Sequence, residues 1–178
     1  MEKFGDPTFE YHKTAAQIWG LVALRLAEAE ALPFDYMAYA KQLQKYVQEI
    51  EARLDNQRDN VDLKPLRQAV ALFDAAALLA QAENQRVTNS SATAESRRDF
   101  NDRLMLTERA FIDPDGLPRR PWYKHIIYAP GLYAGYAAEV LPGLVQAIKE
   151  KNWDEARSQV ERISRIIGGA AIRLVGRS

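Results

Sequence analysis

The chain has 178 residues, of which 47% are hydrophobic and 27% charged, with 24 basic and 24 acidic side chains and no cysteine. This composition suits one packed domain and not a disordered segment, and the zero formal charge argues against a nucleic-acid surface, which carries a basic excess. The lack of thiols excludes disulfides, thiolate metal sites and cysteine nucleophiles, no apolar run reaches the roughly 18 residues of a membrane span, and the polar opening MEKFGDPTFE does not read as a leader peptide.

Taken in chain order, Asp6-Pro7-Thr8 predicts a helix start, with aspartate as cap and proline in the first turn. Ala15, Ile18, Trp19, Val22 and Leu26 continue at helical spacing to about Ala31. Pro33 breaks this helix, and Asp35 caps a second one with Tyr36, Tyr39, Leu43, Val47, Ile50 and Leu54 on its apolar stripe. Asp55–Asn60 reads as a polar connection. Asp62 and Pro65 open a third helix with Leu66, Val70, Phe73, Ala77 and Ala80 on one face. Val87–Ser96 reads as a turn or weak helix and holds a sequon, Asn89-Ser90-Ser91, read as a chance match in a polar turn. Phe100, Leu104, Thr107 and Phe111 mark a fourth helix.

Next comes a segment of different character. Phe111–Tyr136 holds four prolines, three glycines, four tyrosines, a tryptophan and one of the two histidines. After it, a helix is expected from about Ala137 to Lys151, with Pro142 in its first turn or at a kink. Asn152 caps a last helix whose stripe is Ala156, Val160, Ile163, Ile167, Ala170 and Leu174. Gly168-Gly169 within it destabilises a helix by roughly 1 kcal/mol per residue relative to alanine. Either a second backbone approaches there or the end frays. No convincing strand emerges, and HIIYA, the best candidate, is isolated. The fold class is therefore all-α: an antiparallel, four-helix-type bundle spanning residues 1–178, with the 111–136 loop inserted between helices.

Catalytic patterns are sparse. His12 and His125 are the only histidines, and neither sits in a metal-binding helix motif. No phosphate-binding glycine loop and no nucleophile elbow is present. Abundant carboxylates on amphipathic helices are usually solvated faces. His12 reads as a structural histidine near a helix end. His125, inside the aromatic loop, is read as a loop brace first and a substrate contact second.

The stretch LTERAFIDPDGLPRRPWYKHIIYAP, with EKFGDPTFEYHKTAAQ, LPFDYMAYAKQLQKY and YAAEVLPGL around it, resembles the C-terminal helical domain of the glutamate carboxypeptidase II / prostate-specific membrane antigen family. This is the transferrin-receptor-like dimerisation domain, and the resemblance spans nearly the whole chain. It implies a fragment of a larger zinc peptidase homologue that is not catalytic by itself. Two zinc ions and a general base would belong to a separate protease domain, and no cofactor to this chain. The implied partners are a second copy, giving a homodimer, and the missing protease domain, whose pocket the loop would close. Nucleic acid and membrane contact are not expected of this piece, although family members are commonly anchored in membranes with luminal, vacuolar or extracellular domains.

In the family a Lys-Tyr pair binds the substrate's C-terminal glutamate-like residue. The tyrosine maps onto Tyr136, while Gly135 stands where the lysine would be. A cation for a carboxylate is thereby lost. Tyr136 and His125 are the candidate substrate-binding residues of the parent protein, with Lys124, Arg119 and Arg120 nearby in sequence. A free-standing helical adaptor whose loop binds a protein partner is the alternative reading.

Overall fold

The computed structural model of the chain describes residues 5–89, 92–133, 135 and 137–176. Its helices are α1 (Glu10–Ala27), α2 (Tyr36–Leu54), α3 (Lys64–Val87), α4 (Ala94–Arg109), α5 (Pro142–Lys149) and α6 (Trp153–Leu174). Two short strands, β1 (Tyr128–Pro130) and β2 (Ala138–Val140), lie between α4 and α5. The fold is an all-α bundle, as the helical periodicity implies. Polar caps start three of its helices. Asp35 accepts from the Ala38 N–H at 2.9 Å, Thr93 from Ser96 at 3.1 Å and Asn152 from Glu155 at 3.2 Å.

The direction of each helix follows from contacts at its ends. Tyr36, at the start of α2, packs on Phe73 of α3, while Glu51, near the α2 end, pairs with Arg67 at the α3 start. These two helices are therefore antiparallel. α4 reverses again, with the Tyr36 hydroxyl donating to the Leu104 carbonyl at 2.5 Å. α6 runs alongside α3 in the same direction. Arg157 donates to the Asn60 carbonyl at one end (2.8 Å), and Ile172 and Val175 lie beside Leu79 and Glu83 at the other. This is an up-down-up-down bundle whose second and fourth helices make the most extensive contact. Buried Ala69, Ala76, Ala77 and Ala80 on α3 face a helix carrying buried Ala156, Ala170 and Ala171, and small side chains allow close axes. Phe73, Phe100, Leu43, Ile50, Leu66, Leu104 and Ile163 fill the core.

Several expectations change. α1 starts at Glu10, not at Asp6, and ends at Ala27 instead of Ala31. None of its residues is buried, so the stripe Ala15, Ile18, Trp19, Val22 and Leu26 takes no part in the bundle. The stretch 138–140, expected to be helical, is a strand pairing with β1, and HIIYA therefore leads into a paired strand. Pro142 supplies the reason: it disfavours the helical region for the residue before it and lacks a donor. Leu141 sits at φ 42°, and the helix begins only at Pro142. Asp55–Asn60 winds into a 3-10 turn. Ser90 and Ser91 of the sequon lie outside the described residues.

Candidate functional site

The aromatic loop is a hydrogen-bonded ribbon. The Asp113 N–H donates to the Lys124 carbonyl at 2.8 Å, Ile126 to Phe111 at 3.1 Å, Leu117 to Tyr123 at 2.9 Å and Leu141 to Ile127 at 2.7 Å. β1 and β2 extend it antiparallel, with Ala129 opposite Glu139. At its tip the Gly116 N–H closes a turn on the Asp113 carbonyl at 3.0 Å. Gly116 has φ 73°, and a Cβ there would lie 2.3 Å from the Pro121 carbonyl oxygen. Only glycine fits such a position.

Three basic side chains that the sequence left available for a partner are engaged within the chain. Arg119 donates to both carboxylate oxygens of Glu150, at 2.8 and 2.9 Å. Buried Arg120 donates to the Pro130 carbonyl and lies over the Tyr123 ring. Lys124 Nζ reaches the Pro114 carbonyl at 2.5 Å. Asp113, also buried, accepts from the Asp115 N–H at 3.0 Å and from Arg162 of α6. The Arg162 hydrogen bond holds the Asp113 carboxyl below its ordinary range, against the opposing effect of burial. This pair ties the ribbon to the bundle, and no local pattern announces it, because the partners are 49 residues apart.

His125 points back toward the bundle. Its ring lies 4.3 Å from that of Tyr128 and 6.2 Å from that of Phe111, and Phe111 in turn stacks on Tyr39 at 5.4 Å. Its Nε2 is 3.5 Å from Glu108, an electrostatic contact longer than a good hydrogen bond. Burial pushes the His125 pKa down, and the Glu108 charge opposes it. The Tyr39 hydroxyl donates to the same carboxylate at 3.3 Å. Burial, then the charge of Glu108, raises the Tyr36 and Tyr39 phenols. This arrangement braces the loop against α2 and α4.

Tyr136 lies outside the described residues. Beside it in sequence, Leu132, Tyr133, Ala137 and Glu139 line an open groove of about 600 Å³ with Arg53 and Lys149. Elsewhere on the ribbon Trp122 and Tyr128, like Tyr133 in the groove, leave large exposed rings. Among the described residues, no three histidine, aspartate or glutamate side chains converge to hold a metal. The described residues therefore offer no donor set that fits a zinc ion.

A second feature is a shallow apolar groove on α3 and α6. Leu72, Leu79 and Ile172 are each about half exposed there, beside Ala75, Ala76 and Ala171. Gly168 and Gly169 lie within a helix that continues to Leu174, and nothing in the described chain comes within 4 Å of the Cβ either would carry.

Comparison with known proteins gives these features a context. The transferrin receptor-like dimerisation domain family matches residues 61–175. The chain is 38% identical to the probable glutamate carboxypeptidase LAMP1 of Arabidopsis thaliana, over 99% of this chain and 26% of that protein. It is 34% identical to the aminopeptidase NAALADL1 of Mus musculus, over 98% of this chain and 24% of that protein. A more distant relative at 25% identity is the inactive zinc metalloprotease C354.09c of Schizosaccharomyces pombe, matched over 92% of this chain and 21% of that protein. The chain thus spans about a quarter of the length of these relatives. With its helical bundle and the match across α3, α4, the ribbon and α6, the chain belongs to the transferrin receptor-like dimerisation domain family, as carried by glutamate carboxypeptidase-like proteins.

Proposed function

We propose that this chain forms the homodimer contact of a larger zinc-carboxypeptidase-like protein, has no catalytic activity of its own, and uses its ribbon to complete the substrate pocket of a neighbouring protease domain. The observation that carries the dimer reading is the α3–α6 groove. Leu72, Leu79 and Ile172 are exposed together, inside the span matched by the dimerisation family. Large apolar groups clustered on a surface mark an interaction site. The two glycines leave α6 backbone open to close approach by another chain.

The pocket-completing role rests on the exposed aromatic rim of the ribbon. Tyr and Trp give large contact area at small rotamer loss, with polar tips. The ribbon is held by Asp113–Arg162 and by the Tyr39–Phe111–His125 stack, so it can meet a second domain without further ordering. In this reading Tyr136 donates a hydrogen bond to the substrate and His125 holds the ribbon in place for it. Gly135 brings no charge, so preference for an acidic terminal residue is weakened. Zinc and the general base belong to the protease domain.

The test is the double variant Leu72→Asp/Leu79→Asp. Light scattering coupled to size exclusion is expected to give a monomer, with the melting temperature changed by less than about 2 °C, since both side chains are exposed. A variant as dimeric as the wild type would refute the groove as the contact.

A further inference from the structure

Buried charges in folded proteins are paired or bind an ion. Arg120 departs from this. Only 6% of the residue is exposed. The ion pairs around the ribbon tip run through Arg119 and Arg162, and among the described residues no carboxylate lies within ion-pair distance of Arg120. A guanidinium has five N–H donors to place. Nη1 donates to the Pro130 carbonyl, the one acceptor these donors find among the described residues, and Nε is buried with none. The Tyr123 ring centre, 5.5 Å from the guanidinium carbon, offers a π face, a weaker partner than a carboxylate would be.

The backbone keeps the side chain in this position. The Arg120 N–H donates to the Leu117 carbonyl at 3.0 Å, and the Arg120 carbonyl accepts from the Tyr123 N–H at 3.0 Å. Swinging the charge out to water would therefore break the turn.

Arg120 borders a cleft of about 260 Å³ between the ribbon and the start of α5 and α6, with Leu132, Gly143, Gln146, Glu150 and Glu155 also on its walls. It shares the Gln146–Glu150 wall with the open groove beside Tyr136, which Arg120 does not line. The other charges of the cleft are engaged. Glu150 takes both bonds from Arg119 and one from Gln146 at 2.6 Å. Glu155 accepts from the Gln159 amide at 2.9 Å. What is left over is one guanidinium without a counter-charge. A flat, singly charged, two-oxygen head satisfies it. A dianion such as phosphate also meets Glu155, whose charge no cation pairs among the described residues, and is disfavoured.

We propose that Arg120 anchors a carboxylate-binding site in this cleft, its ligand a singly charged carboxylate supplied either free in solution or by an acidic group of polypeptide outside this chain. The site does not depend on which face dimerises or on what the ribbon covers.

The probe is acetate, with chloride and phosphate at equal ionic strength as references. In the 178-residue chain, acetate is expected to move the Arg120 Nε–H resonance in a saturable way. With half-saturation near about 50 mM, about 200 mM acetate should raise the melting temperature by about 2–4 °C over chloride. Phosphate should give less than half of that, and Arg120→Gln should abolish the difference between acetate and chloride. The wild-type resonance decides the matter even if this variant does not fold. A signal that moves no further in acetate than in chloride would overturn the proposal, and so would a phosphate effect equal to that of acetate. The full-length protein then identifies the source. An acetate response there means a free carboxylate. No response, with Arg120→Gln lowering the melting temperature more in the full-length protein than in the short chain, means an acidic group of the parent's own polypeptide. No response with an equal loss in both would overturn the site.

Discussion

Asp113, which is buried, and Arg162, which is partly buried, join the ribbon to α6. Replacing Asp113 by Ala leaves the guanidinium only the longer, exposed contact to Asp115 at 3.4 Å, and the expected loss is about 1–3 kcal/mol, readable by chemical denaturation. The same pair sets an acid dependence. The folded-state pKa of Asp113 is depressed, so its contribution is fully present above the ordinary carboxylate value of about 3.9 and fades as pH falls through the lower folded value. Stability curves of wild type and Asp113→Asn should therefore converge at low pH. His125 acts in a different window. Burial depresses its pKa, so the unfolded chain takes up a proton first on acidification, near pH 6.5. Stability should fall as pH drops from about 7 through the folded value, and His125→Phe should flatten that slope. Gly116→Ala combines a positive φ with a Cβ placed against the Pro121 carbonyl. A loss of about 1–3 kcal/mol is expected, or a few degrees of melting temperature per kcal/mol for a chain this size. Of these residues, Asp113-Pro114-Asp115-Gly116 has the composition of a turn in the sequence itself, and His125 is offered as a brace only by its place in the aromatic loop. The partner Arg162 is hidden, because pairing across 49 residues leaves no periodic trace.

At the scale of elements, the helices that pack against one another were readable, and those that do not were readable only as helices. α2, α3, α4 and α6 carry apolar stripes whose members turn up buried, such as Leu43, Leu66, Phe100 and Ile163. α1 has helical spacing too, but spacing says which residues share a face and not what covers it. β2 was misread for a different reason. Ala137–Leu141 has ordinary helix formers, and the information against a helix lies in the next residue, Pro142, which restricts Leu141. Strand pairing with β1 then uses the backbone groups the proline strands. A half-buried glutamate in that strand, Glu139, pairs with the exposed Lys149 of α5. Substituting Pro142→Ala should permit helix to extend backward. Greater helical circular dichroism with faster amide exchange at 128–130 is expected. Unchanged exchange there would mean the strand pairing stands without the proline.

For the whole molecule, one division explains the distribution of features. The bundle interior is apolar and alanine-rich where α3 meets α6. What is left exposed is organised: a groove on α3 and α6, an aromatic rim on the ribbon, and an unpartnered α1. Each is a surface suited to contact. Membership of a dimerisation family implies self-association, and the α3–α6 groove is the contact proposed for it. The direct check is the mass of the wild-type 178-residue chain by light scattering across a concentration series into the high micromolar range. A mass approaching twice 20.2 kDa is the predicted result. A mass of 20.2 kDa at every concentration would contradict it.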